Sequence, residues 1–324
     1  MTNLNYFSLS IHLYHAKDVS ILYDWQTHRR NRIMEPVVNS HALVNGTRIA
    51  HGVYGDGIPL VLMHGTPSSS LIWRKVIPAL VNNGFRVHVF DLLGYGLSER
   101  PWSQAIDTSI SGQVDILKGM LNVWGLDTFH LIAHDIGGGI AQRFGVFFTE
   151  RLRSLTLIDV VSFDSYPSER TRQQMEHGLD KLLTAPDSEH RAHFREWLKT
   201  AVVNTQEFER GPLDTYLDYI SGPVGQGSLF QHQISHYDPR HTLDIAERLS
   251  ELGDIPVKII WGEGDTWQVP AWASKLSVAI PDSDVTFIEN AGHFSPEDAP
   301  ETVASLISDF VSGVEKPFGT RHIL

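Results

Sequence analysis

The 324-residue sequence contains no cysteine. That single absence removes disulfides, a thiolate nucleophile, Cys-ligated zinc and iron–sulfur clusters. It leaves the compartment open, because a chain without thiols folds in either redox setting. The sequence also has no basic excess: 26 Lys and Arg stand against 38 Asp and Glu, a formal net charge of −12. Gripping a phosphate backbone needs a concentrated basic face, so no nucleic-acid partner is expected. No run approaches the roughly 20 apolar residues that span a bilayer. The longest clean run, Ile58 to Met63, is interrupted by Pro59 and reads as a buried strand. The N-terminus lacks a basic segment, a continuous apolar segment and a small-residue cleavage site, so the expected location is cytoplasmic with no membrane partner. Internal repeats at periods of about 20–50 residues are absent. There is no H-E-x-x-H metal motif and no G-K-[ST] phosphate loop, and Gly137-Gly138-Gly139 lacks the G-x-G-x-x-G spacing. No metal and no organic cofactor is therefore expected.

What remains is a globular composition, 42% hydrophobic and 20% charged. Residues 1–35 mix aromatics, histidines and a basic cluster (Arg29, Arg30, Arg32) with no sustained period. They read as an N-terminal extension, and a natural start at Met34 stays open. From residue 36 onward, short apolar runs alternate with amphipathic stretches. Strands are expected at Thr47–Tyr54, Pro59–Met63, Arg86–Phe90, Phe129–Ala133, Leu155–Ile158, Val257–Trp261 and Val285–Ile288. Several are apolar on both faces, as in a buried parallel sheet. Helices are expected at Ile72–Asn82, Ile110–Trp124, Gly137–Phe148, Ala271–Ile280 and Pro300–Val311, with Asp107 or Thr108 capping the second. This order argues a doubly wound α/β sheet. The alternation stops over residues 162–240, where Glu169–Leu183, His190–Val203 and Leu213–Ile220 read as helices. That stretch is expected to be a helical cap inserted between core segments 36–161 and 241–324, and a cap is a common place for substrate-binding side chains.

One constellation carries chemistry. The strand Phe129–Ala133 runs into His134-Asp135-Ile136-Gly137-Gly138-Gly139 and then a helix. Small residues two before and two after Asp135 permit a sharp strand–turn–helix bend that thrusts the central side chain into a cleft. Asp135 is the expected nucleophile. Asp265, just past one strand, and His293, just past the next, follow in the order nucleophile, acid, base. All three fall at C-terminal strand ends, where open α/β sheets bind ligands. The loop His64-Gly65-Thr66-Pro67 follows another strand, so the N–H groups of Thr66 and Ile136 are the expected oxyanion donors. Asp159 also ends a strand and is a rival acid. His64, His134 and Asp91 are expected in structural roles, and Trp73 and Trp102 in packing.

On these motifs the sequence resembles the α/β-hydrolase fold family, in its aspartate-nucleophile branch of epoxide hydrolases and haloalkane dehalogenases. The resemblance covers residues 37 to 312 and includes Asp91–Ser98, similar to the family's loop after its fourth strand. It implies a mostly parallel sheet of about eight strands with an inserted helical cap. A carboxylate is ionised at neutral pH and attacks without first losing a proton. Against esters it would give a less stable anhydride, so it suits displacement at saturated carbon, with an alkyl ester as intermediate. His293, oriented by Asp265, would then activate water. Dehalogenases typically place a Trp directly after the nucleophile and often an Asn after the H-G pair, where this sequence has Ile136 and Thr66. Epoxide hydrolases place Tyr, sometimes with His, in the cap, which here offers Tyr166, Tyr216, Tyr219, Tyr237 and His241. Tyr237, His241 and Tyr166 are the expected substrate contacts. Epoxide hydrolysis is therefore expected first, dehalogenation second, then another hydrolytic reaction such as that of a lactone. A binding protein that has lost catalysis is the reading from a different class. The expected partner is a small organic molecule, and a homodimer is left open.

Overall fold

A computed structural model describes residues 34–316. The expected extension at 1–35, with its arginine cluster, lies almost wholly outside the described residues. Eight strands form one sheet: β1 (Ser40–Val44), β2 (Thr47–Tyr54), β3 (Ile58–Met63), β4 (Phe85–Phe90), β5 (Phe129–His134), β6 (Leu152–Ile158), β7 (Val257–Gly262) and β8 (Asp284–Ile288). Their order across the sheet is β1-β2-β4-β3-β5-β6-β7-β8. The pairings β1–β2 and β2–β4 are antiparallel, and the rest are parallel.

The central strands are apolar on both faces because helices cover both. Leu60, Val61, Leu62, Leu131, Ile132 and Leu157 are wholly buried, the pattern parallel strands show when neither face meets water. β1 has no place in the sequence expectation. It is short and mostly exposed, and it pairs with β2 through a tight turn in which Asn45 and Gly46 both have positive φ (51° and 82°). Asn-Gly is the favoured pair for such a hairpin turn.

The helix Ile110–Trp124 lies where expected, but Ser109 caps it by accepting from the Gly112 N–H, while Asp107 accepts from the Ser109 N–H. The expected helix Ile72–Asn82 is two pieces, a 3₁₀ turn Ser70–Trp73 and a helix Ile77–Asn82. Pro78 explains the break, since it lacks an N–H and favours a helix's first turn. The expected helix Glu169–Leu183 likewise ends at Glu176, before Gly178 with φ +81°. Trp73 is fully buried, as a packing residue should be, whereas Trp102 is fully exposed and packs nothing.

Between β6 and β7 the described chain holds helical segments and loops but no strand, including Glu169–Glu176, Asp187–Lys199, Thr205–Arg210, Leu213–Ile220 and Gly222–Ser228. Side chains from this stretch cover the C-terminal edge of the sheet. Among the described residues no helix is long and apolar enough to cross a membrane.

Candidate active site

Asp135 follows β5 and opens the helix Ile136–Phe147, with φ 53° and ψ −123°. That backbone is costly for a residue with a Cβ and persists only where its surroundings hold it. Here the Asp135 carbonyl accepts from the N–H groups of Gly138 (2.9 Å) and Val161 (3.2 Å), which pin the bend. The glycines behind it are needed for space. A Cβ on Gly137 would stand 2.5 Å from the His64 carbonyl, and one on Gly138 would collide with Val160.

The bend sets the Asp135 carboxylate between two partners. Its Oδ1 accepts the Thr66 N–H at 2.6 Å. Its Oδ2 faces the His293 Nε2 across 3.4 Å. The other ring nitrogen of His293, Nδ1, donates to Asp265 Oδ2 at 2.9 Å. Asp265 is held in turn through Oδ1, which accepts the N–H groups of Trp267 (2.8 Å) and Gln268 (2.9 Å). Carboxylate, imidazole and carboxylate thus form one row, with exposures of 4%, 0% and 3% for Asp135, His293 and Asp265. The structure brings the three expected residues together, with Thr66 beside them. Ile136 lines the same cavity.

The charges in the row stabilise each other. Burial alone would push the His293 ring toward neutrality, but the Asp265 and Asp135 carboxylates outweigh it and hold its pKa well above the ordinary 6.5. Burial alone would likewise raise Asp135, but the facing His293, with His134 and the Thr66 N–H, holds it below the usual carboxylate value. Both directions favour a protonated ring facing an ionised Asp135.

The other polar candidates form hydrogen bonds within the fold. His64 donates from Nδ1 to the Gly65 carbonyl (2.8 Å) and accepts the Leu92 N–H at Nε2 (2.9 Å). His134 donates from Nε2 to the His293 carbonyl (2.8 Å), and burial drives its pKa down to about 3. Asp91 accepts the N–H groups of Ser70 and Leu97. Asp159, the rival acid, is wholly buried, accepts the Gly262 N–H at 2.7 Å and contacts the Ser295 hydroxyl. Burial and the nearby Asp265 charge raise its pKa well above the usual value.

Above Asp135 lies a cavity of about 480 Å³. Tyr166 and Tyr237 both line it, with ring centroids 5.0 Å apart. The Tyr237 hydroxyl donates to Thr66 Oγ1 at 2.6 Å. Burial, with Tyr95 and Tyr166 adjacent, keeps this phenol protonated. His241 is a correction: it does not line the cavity, and its ring hydrogen-bonds Ser111 Oγ at 2.7 Å on the helix Ile110–Trp124. Tyr216 is engaged elsewhere, by Glu297 at 2.8 Å, and Tyr219 does not line the cavity either.

Sequence reasoning missed Trp267, Trp197 and Arg170. Trp267 stacks on the His293 ring at 5.0 Å, and Trp197 stacks on Trp267 at 4.3 Å with planes 5° apart. The position of Trp267, two residues past Asp265, was the available signal. Trp197 and Arg170 gave none, because helix-face direction in an irregular insert is not legible. Among the described residues no group of three or more His, Asp or Glu side chains is arranged to hold a metal ion.

A family model described as the alpha/beta hydrolase fold matches residues 58–300. A soluble epoxide hydrolase of Corynebacterium sp. (strain C12) is 28% identical over 285 residues, covering 82% of this chain and 94% of its own. Haloalkane dehalogenase 2 of Mycobacterium tuberculosis is 26% identical over 280 residues, covering 80% and 90%. Among solved structures, an alpha/beta hydrolase fold protein from Burkholderia ambifaria is similar with a TM-score of 0.75 and 30% identity, covering 86% of this chain and 99% of that one.

Proposed function

Since the chain belongs to the α/β-hydrolase fold family and is a hydrolase, we propose that it opens epoxides through a covalent ester on Asp135. The observation that carries this reading is the pair of tyrosines in the cavity above the buried Asp135 carboxylate, with Ile136 in place of an indole donor.

Thr66 occupies Oδ1, so Oδ2 is the oxygen free to attack. Oδ2 bonds to an epoxide carbon, the carbon–oxygen bond of the ring breaks, and the resulting alkoxide takes the Tyr237 proton. Ester formation removes the charge of Asp135. His293 then keeps one carboxylate partner where it had two, and burial drives it toward its neutral form. The proton it sheds is the one the Tyr237 phenolate needs. Neutral His293 next accepts a proton from a water that attacks Cγ of Asp135. The tetrahedral oxyanion forms on Oδ1, where the Thr66 N–H already points, with the Ile136 N–H as second donor. Such donors contribute about 2.7–4 kcal/mol each. Collapse releases the product alkoxide, which takes the proton from His293, and the acid left on Asp135 returns its proton to the ring. Epoxide and water have become a diol.

The test is a panel of styrene-oxide-like epoxides and bromoalkanes. Diol release is expected, and Tyr237→Phe is expected to lower kcat on epoxides by about 10²–10⁴, the usual range for a lost general acid. Bromide release with no diol would replace this reading with dehalogenation.

A further inference from the structure

The cavity above Asp135 holds a cation that no carboxylate of the described chain answers. Arg170 lines it, from the first turn of the helix Glu169–Glu176. Its guanidinium carbon lies 4.4 Å from the Trp197 ring centroid, and one of its NH₂ groups donates to His193 Nε2 at 2.5 Å. His193 accepts there, so its ring is neutral, consistent with a pKa lowered by burial and by Arg170 itself. No Asp or Glu among the described residues pairs with Arg170. The adjacent Glu169, also on the cavity, is exposed and accepts from Gln173 Nε2 at 2.9 Å. Of the other arginines of the insert, Arg191 pairs with Asp187 and Asp218, Arg195 with Asp214 and Arg240 with Asp238, while Arg172 donates to the Asp164 carbonyl.

In a chain of net charge −12, Arg170 stands on the cavity with an indole ring and a neutral imidazole as its partners and no counter-ion. Its place is also unfavourable for a cation, because the helix dipole is positive at that end and favours an anion. Ser168 and Thr171, whose hydroxyls hydrogen-bond each other at 3.0 Å, line the cavity as well. The cavity's lining also includes the apolar side chains of Val161, Phe194, Leu229 and Ile234.

We infer that the substrate is an apolar molecule bearing a carboxylate, which pairs with Arg170 while the reacting carbon sits over Asp135. A single guanidinium fits a monoanion, and its planar fork matches a carboxylate. This rests on the reading of the cavity as the substrate site, and its first test is independent of the reaction. Octanoate and octanamide have the same chain and differ in charge. Their binding is followed by quenching of tryptophan fluorescence, since Trp197 and Trp267 line the cavity. Wild type is expected to bind octanoate about tenfold or more tightly than octanamide, the scale of one charge-assisted hydrogen bond. Arg170→Gln is expected to abolish that preference and leave octanamide binding unchanged, and Arg170→Lys to keep part of it. Equal binding of the two by wild type, or a preference that survives Arg170→Gln, overturns the inference.

A second arm uses ω-epoxyalkanoates of increasing chain length and their methyl esters. The acid is expected to be preferred, and Arg170→Gln to raise KM for the acid alone. If no epoxide reacts but the octanoate preference still vanishes in Arg170→Gln, the anion site stands and the epoxide reading falls. If epoxides react but acid and ester are treated alike, the anion site falls and the epoxide reading stands.

Discussion

A methyl group placed on Gly65 is expected to disable the enzyme without unfolding it. A Cβ there would stand 2.2 Å from Asp135 Oδ1 and 2.3 Å from Asp135 Cβ. Carbon atoms in contact prefer about 3.5–4.0 Å, so the two must separate by more than about 1 Å. The loop has little freedom to yield, since the Gly65 carbonyl accepts from His64 Nδ1 (2.8 Å) and from the Ser68 N–H (3.1 Å). The Asp135 backbone is pinned by Gly138 and Val161. The carboxylate side chain therefore moves, and the Thr66 N–H contact at 2.6 Å is lost. A misplacement of about 1 Å at a reacting group lowers rate by about 10²-fold, near 2.7 kcal/mol of barrier. Overpacking costs about 1–3 kcal/mol of stability. The assay is kcat of Gly65→Ala on an epoxide turned over by wild type, alongside urea denaturation. Gly313→Ala, on the helix Pro300–Glu315 with nothing near its Cβ position, is the control and is expected to be neutral or slightly stabilising. A folded Gly65→Ala with wild-type kcat would refute the placement of Asp135.

Two further predictions concern buried titrating groups. His88 is buried with neither ring nitrogen partnered, and burial lowers its pKa from the ordinary 6.5 to about 4. The unfolded chain protonates below 6.5 while the native ring stays neutral, so this group costs stability as pH falls from 6.5 toward 4. At pH 5 the cost is about 2 kcal/mol, from 1.5 pH units at about 1.36 kcal/mol each. His88→Leu should therefore gain more stability at pH 5 than at pH 8, and an equal gain at both would show the ring is not held neutral. For Asp159, a raised native pKa means ionisation favours the unfolded chain above about pH 4, so Asp159→Asn should be at least as stable as wild type at pH 7 and lose that advantage toward acid. Asp159→Ala, with the Gly262 N–H unanswered, should be about 1–3 kcal/mol less stable than the Asn variant. Equal loss in both, measured by urea denaturation, would mean that the carboxyl is ionised.

The chemistry-bearing residues were the most legible part of the sequence, because strain and close approach dictate them locally. A bend with small neighbours had to expose Asp135, and strand order then placed Asp265 and His293 at the same sheet edge. β1 escaped because it is short and mostly exposed and its Ser-His-Ala-Leu-Val run carries no apolar alternation, although Asn45-Gly46 marked its turn. The insert between β6 and β7 was the least legible part. Which face of a short helix looks into a cavity depends on packing between helices that share no register. His241 was therefore placed on the cavity wrongly, and Arg170 and Trp197 were not seen. The tyrosines divide for the same reason, with Tyr216 held by Glu297 while Tyr237 reaches Thr66.

The most direct measurement is the intact mass of His293→Gln after exposure to styrene oxide. With the ring gone, the ester should form but not hydrolyse. The protein should gain the full mass of the epoxide, on the peptide containing Asp135, and diol release should cease. Continued turnover with no adduct, or an adduct on a different residue, would contradict an ester on Asp135.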